Sequence, residues 1–264
     1  MKTAWRGLFR KEWVLLKWLT IWIVGLNALV ILAVPSAITS LSGIPGTLYE
    51  HTHIVTGTWF ALYTFSGAGI LLYSLTKEIK TPDIWLHSPR SMFQLAGAKA
   101  LFSAFIAIAT LFFGGLLAGI MFSILGEWST DSAWHGALAL ISILLAISLK
   151  SCFLMAVGFF FWSLYQVIRL RTRFFAVPLT VMLFFLALVI WEMLRINDFF
   201  DWLRTLMPIK LTNESFYNEQ TDYFFTGFVR DGIVFSVGSV LFYAVLIYVL
   251  FAVGSRLFEK KARL

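Results

Sequence analysis

Long apolar runs, separated by short polar stretches that hold almost all the charge, set the pattern of this chain. A helix needs about 20 apolar residues to cross a hydrocarbon core of roughly 30 Å. Six runs reach that length: 18–40, 54–75, 100–125, 137–164, 174–194 and 229–255. Ahead of the first, Trp5, Leu8, Phe9, Trp13 and Leu16 fall largely at three- and four-residue spacing, while Lys2, Arg6 and Arg10 line another face. That pattern predicts an amphipathic elbow helix over 1–17, suited to the headgroup layer.

Two of the intervening stretches are long enough to carry structure. Residues 76–99 read TKEIKTPDIWLHSPRSMFQLAGAK, and Pro82 and Pro89 divide them into short pieces. Ser88 as a cap with Pro89 in the first helical position predicts a short helix. Its apolar edge is Met92, Phe93 and Leu95, beside Arg90 and Lys99. In 195–228, Phe199, Phe200, Trp202 and Leu203 lie beside Asp198, Asp201 and Arg204, Pro208 follows, and then come Tyr217, Tyr223, Phe224 and Phe225. Short interfacial or re-entrant helices with aromatics at headgroup depth fit this segment, and a plain aromatic belt fits it equally. The expected fold is an all-α integral membrane protein, a single transmembrane domain over 1–264 with six transmembrane helices.

Composition excludes an ordinary soluble domain, since 59% of residues are hydrophobic, 13% are charged and mean hydropathy is +0.83. The net charge of +7 does not point to nucleic acid, because the cations sit at the ends of apolar runs. All of the 21 lysines and arginines except Lys150, Arg195, Arg204, Lys210 and Arg230 fall in the two terminal segments or in 76–99 and 165–173. The positive-inside bias then predicts a multi-pass protein of the plasma membrane with both termini and the 76–99 loop cytoplasmic. Met1 to Ala37 is too long in its charged leader and apolar run for a cleaved signal peptide. The single cysteine, Cys152, lies inside an apolar run and excludes an intrachain disulfide.

Candidate chemistry inside the spans is sparse. Lys150 falls near the middle of the fourth span, with Ala139, Ser142 and Ala146 on its stripe, and an ionisable residue at that depth is a pathway candidate. Glu192 in the fifth span is its candidate partner, and a packing contact to a carbonyl is an equal alternative. Gly114, Gly115 and Gly119, and the small patch Ser66 to Gly69, allow close helix approach. Glu50, His51 and His53 lack the spacing of a metal site and read as a polar external loop. No H-E-x-x-H cluster occurs, and no histidine matches the depth of Ser66 or Ser163, which argues against an intramembrane enzyme. No catalytic residue and no metal site is expected.

The six spans, the amphipathic start, Glu78 at the end of the second span, the Ser88–Pro89–Arg90–Ser91 step and Lys99 entering the third span resemble the permease subunits of type-2 class ABC exporters. The likeness covers most of the chain in topology and about residues 76–100 in motif; "IWLHS" stands where the family has a leucine-rich stretch. It implies a coupling helix docked on a nucleotide-binding subunit, with Glu78, Trp85, Pro89, Arg90, Met92, Phe93 and Leu95 at the contact. It also implies an outer gate, for which Phe199, Trp202, Tyr223 and Phe224 are the candidates. No G-x-x-x-x-G-K-[ST] loop occurs in the sequence, so ATP and Mg would be bound by a separate ABC ATPase subunit and this chain would bind no cofactor. The family further implies a homodimer or heterodimer of permeases in the bilayer, moving a hydrophobic or amphipathic cargo outward. Bacterial exporters of amphipathic peptides, such as phenol-soluble-modulin and antimicrobial-peptide immunity systems, are the nearest group. A non-energised membrane scaffold or sensor keeps the same topology without the ATPase.

Overall fold

The structure is a computed structural model and describes residues 2–41, 45–79, 92–125, 130–172, 174–196, 202–203, 206–210 and 233–262. It is a bundle of helices: α1 (Lys2–Ala28), α2 (Val34–Leu41), α3 (Leu48–Tyr63), α4 (Ser66–Ile79), α5 (Met92–Ile124), α6 (Thr130–Arg171), α7 (Ala176–Ile196) and α8 (Val237–Ala262). Five helices are long and apolar enough to cross a membrane, and α3 with α4, bent by 42° at their junction, form a sixth if taken as one broken span.

Several boundaries depart from the apolar runs. Helix α1 continues without interruption from Lys2 to Ala28, well into the first run, so no break at residue 17 sets off an elbow. Trp13, expected on the apolar face with Leu16, is 52% exposed whereas Leu16 is fully buried. The packed stripe runs through Phe9, Glu12, Leu16, Leu19 and Ile23 instead, leaving Trp13, Trp18 and Trp22 facing outward. A π turn, Leu29–Ala33, joins α1 to α2 just before Pro35. Proline has no N–H and its ring crowds the carbonyl four residues back, and widening the preceding turn relieves both.

Between α3 and α4 the Thr64 hydroxyl and backbone N–H both donate to the Ala61 carbonyl and close the first helix. The freed N–H of Gly67 donates to Ser151 Oγ of α6 at 3.2 Å. A Cβ on Gly67 would stand 2.8 Å from that same oxygen, so only glycine lets the broken helix settle here. Glu50, His51 and His53 are not in a loop. They form the start of α3, where Thr47 and Glu50 make a reciprocal capping box and His51 Nδ1 lies 2.9 Å from Thr39 Oγ1.

Helix α5 is central. One apolar cluster joins Leu71 and Leu75 of α4, Ala96 and Ala100 of α5, Met155 and Phe159 of α6, and Phe258 of α8, at one end of the bundle. A second, around Ile31, Phe60, Leu111, Leu144 and Ile147, fills the other half. At Gly115 α5 lies tight against α6: a Cβ there would collide with the Leu144 side chain. Helix α7 lies at the periphery on α6, through Phe153 with Trp191 and Phe161 with Phe184, and turns most of its apolar surface outward.

The chain is not wholly helical. Pro208–Lys210 (β1) pairs antiparallel with Ile233–Ser236 (β2), and α8 starts only at Val237, eight residues later than the apolar run suggests. Strand pairing satisfies backbone groups that the apolar sequence alone would have assigned to helix.

Candidate functional site

At the bundle end formed by Leu75, Ala96 and Phe258, three helices bring charged side chains into the interior. Glu12 of α1, Ser74 and Glu78 of α4 and Lys99 of α5 are all buried. Lys99 Nζ donates to Glu12 Oε1 at 2.5 Å and to Ser74 Oγ at 2.8 Å, and pairs with Glu78 Oε2 at 3.1 Å. An ammonium has three donors, and each has an acceptor here. The Ser74 hydroxyl in turn donates to Glu12 Oε2 at 2.9 Å, and Lys11 reaches Glu78 Oε1 at 2.5 Å from the half-exposed edge. Two carboxylates and two ammoniums balance. Because charges in a low-dielectric interior persist only when paired and hydrogen-bonded, the four side chains and Ser74 act as one unit.

This unit brackets 80–91, the core of the expected coupling segment. Glu78 lies just before it, and Lys99 lies two turns into α5 beyond it. Of the coupling candidates, Trp85, Pro89 and Arg90 lie outside the described residues, as do the expected Ser88 cap and the helix it would start. Met92 opens α5, and Met92 to Lys99 are the first turns of that long helix rather than a separate piece. Lys99 therefore faces the interior and not an exposed edge beside Phe93. Phe93 is partly exposed and packs edge-on against Phe251 of α8 at 5.6 Å and near Tyr248 at 6.3 Å. Leu95 packs on the Leu75–Phe159–Phe258 cluster.

A second polar centre lies deeper. Asn27 of α1 is fully buried. Its Nδ2 donates to the Ile23 carbonyl and to the Tyr63 hydroxyl, both at 3.1 Å, and approaches the Thr110 carbonyl at 3.4 Å. The Trp59 indole N–H donates to Asn27 Oδ1 at 2.8 Å, and the Tyr63 hydroxyl donates to Thr110 Oγ1 at 2.5 Å. Amide, phenol, indole and hydroxyl thus tie α1, α3 and α5 together at membrane depth, where polar side chains join helices because lipid offers them no partner.

The expected Lys150–Glu192 pair is not among the ion pairs of the described residues, which are Lys11–Glu78, Lys99–Glu12 and Lys99–Glu78. Trp191 turns inward onto Phe153, with ring centres 5.4 Å apart, and Glu192 emerges on the exposed side of α7. Lys150 is half-buried near the middle of α6. Of the outer-gate candidates, Phe199, Tyr223 and Phe224 lie outside the described residues. Trp202 is 57% exposed beside buried Leu203, whose carbonyl accepts from Ser236 Oγ at 2.8 Å and holds the segment onto the start of α8.

Glu12 is the site residue that sequence reasoning passed over. It is the first acid of the chain and the next is Glu50. It stands four residues after Leu8 and four before Leu16, on the apolar face of α1. A lone carboxylate at that position calls for a buried cation, and Lys99 supplies it. Among the described residues no group of histidine, cysteine and carboxylate side chains is placed to hold a metal ion. Comparison with known proteins adds no relative: no family model, no curated protein and no solved structure matches this chain.

Proposed function

We propose that this chain is the membrane-spanning permease subunit of an ATP-driven exporter of the type-2 ABC class. It works with a separate ATPase subunit and a second permease, and moves a hydrophobic or amphipathic cargo outward, an amphipathic peptide in first place. The observation that carries the reading is the meeting of Glu78 with Lys99. They are two of the residues on which the family likeness rests, they flank 80–91, and they are bonded to each other, with Lys99 also holding Glu12. A segment held at both ends on rigid helices delivers a push from below directly to α1, α4 and α5. Phe93 extends the same path to α8 through Phe251. Closure of a nucleotide-loaded ATPase pair against 80–91 would thereby change the relative tilt of these helices.

The test is reconstitution of the chain in proteoliposomes with the ATPase subunit that co-purifies from its native membranes. ATP hydrolysis rises when the permease is present, and Arg90→Glu combined with Phe93→Ala uncouples hydrolysis from peptide export while the helices stay folded. A chain that stimulates no ATPase, or a double variant that exports like wild type, refutes the reading and leaves a membrane scaffold or sensor.

A further inference from the structure

Between the two polar centres α1 and α4 part from each other. Lys11, Glu12, Ser74 and Glu78 close the gap at one end, and Asn27 with Trp59 and Tyr63 closes it at the other. The cleft between has a volume of about 390 Å³ and opens sideways. Its walls are apolar: Leu19 and Ile23 of α1 face Leu62, Gly69, Ile70 and Tyr73 across it. Its lining runs from Leu19 to Leu26 on α1 and from Ser66 to Tyr73 on α4, about 10 Å at 1.5 Å per residue, which is room for part of an acyl chain in a leaflet about 15 Å deep.

Its mouth carries charge of one sign. Lys77 lies one turn beyond Tyr73 on the same face of α4, its Nζ 5.5 Å from the Tyr73 ring centre. Lys11 of α1, 43% exposed, reaches across to Glu78 at this end. The acids at this end, Glu12 and Glu78, are turned inward and neutralised by Lys99 and Lys11. An apolar slot with an exposed lysine, Lys77, one turn beyond its edge is complementary to an anionic membrane lipid.

We propose that this cleft is a binding site for an anionic glycerophospholipid of the adjoining leaflet, with one acyl chain between α1 and α4 and its phosphate at Lys77. The assignment requires only that the bundle spans a membrane, and does not depend on an ATPase partner. Gly69 gives the means to block it, because a Cβ built there meets nothing within 4 Å and a larger side chain would grow into the open slot.

The full chain is reconstituted in nanodiscs of equal phosphatidylglycerol and phosphatidylcholine, and the lipid that stays bound on release is weighed by native mass spectrometry. Wild type keeps phosphatidylglycerol over phosphatidylcholine by about fivefold, the contribution of one lysine near a lipid surface. Lys77→Gln brings that ratio close to one while the total lipid retained is unchanged. Gly69→Phe loses the retained lipid of both kinds at unchanged helicity. Equal retention of both lipids by wild type, or full retention by Gly69→Phe, overturns the site. So does a lipid-free dimer, which places a second copy of the chain in the cleft. If Gly69→Phe fails to fold, the headgroup ratio of wild type against Lys77→Gln decides alone.

Discussion

Replacing Lys99 by methionine removes a charge and keeps most of the side-chain volume. In the folded chain the Lys99 ammonium serves Glu12, Ser74 and Glu78 at once. Without it Glu78 retains Lys11, but Glu12 is left with only the Ser74 hydroxyl, and the cluster changes from neutral to a net charge of one carboxylate. Breaking a buried ion pair from one side costs about 3–5 kcal/mol, most of it the burden of the stranded charge. Removing the stranded charge as well should recover much of that loss, since a neutral, well-packed replacement of a buried pair is close to neutral in stability. Glu12→Gln alone leaves Lys99 with Glu78 and is expected to cost about 1–3 kcal/mol. The double variant Lys99→Met/Glu12→Gln should therefore be more stable than Lys99→Met by about 1–3 kcal/mol, where simple additivity would make it less stable by the cost of Glu12→Gln. The assay is reversible unfolding in lipid–detergent mixed micelles, titrated with dodecyl sulfate and followed by far-ultraviolet circular dichroism. Losses that simply add in the double variant, or a Lys99→Met variant within about 0.5 kcal/mol of wild type, would refute the account of a single charge-balanced unit.

Three further outcomes are expected. Asn27→Leu removes the acceptor of the Trp59 indole, while the Tyr63 hydroxyl keeps Thr110, and should lower stability in the same titration by about 1–2 kcal/mol; Trp59→Phe in that background should cost little more. Gly115→Ala forces the Leu144 side chain aside and should cost about 1–3 kcal/mol, with Leu144→Ala in the same chain returning part of it in an unfolding cycle. Thr47→Ala removes the capping box of α3 and should cost about 1 kcal/mol; hydrogen exchange should rise at the amides of Glu50 and His51 and stay unchanged in α5.

The spans were legible because a bilayer imposes a length, and the apolar runs have that length whatever packs beside them. What could not be read is where satisfaction of backbone groups moved an element's edge. Val229 to Ser236 is apolar enough for helix, yet residues 233–236 pair with 208–210, a partner more than 20 positions away that no local pattern announces. The break between α3 and α4 likewise depends on Ser151 accepting from Gly67 across the bundle. Glu78 and Lys99 were visible as charges at span ends, but their meeting depended on Glu12, hidden as one acid in a basic segment. Lys150 and Glu192 do not pair because sequence fixes the height of each residue and not the rotation of its helix, and α7 turns Trp191 rather than Glu192 toward α6. Glu50, His51 and His53 were misjudged as loop although T-x-x-E at Thr47 to Glu50 is a readable helix start.

The π turn at Leu29–Ala33 sets the phase of everything that follows it. Asn27, Ile31 and Pro35 are all fully buried at intervals of four residues. In a plain α-helix such a series drifts steadily around the axis, since four residues overshoot a turn of 3.6. One wide turn takes up the overshoot and keeps all three on the inner side. Rewinding 29–33 as ordinary α-helix without removing a residue would rotate α2 by about 90°. The Thr39 hydroxyl would swing away from His51, and the entry into α3 would lose its tie to the first span. The wide turn is thus a timing element, and the alignment of two successive candidate spans depends on it.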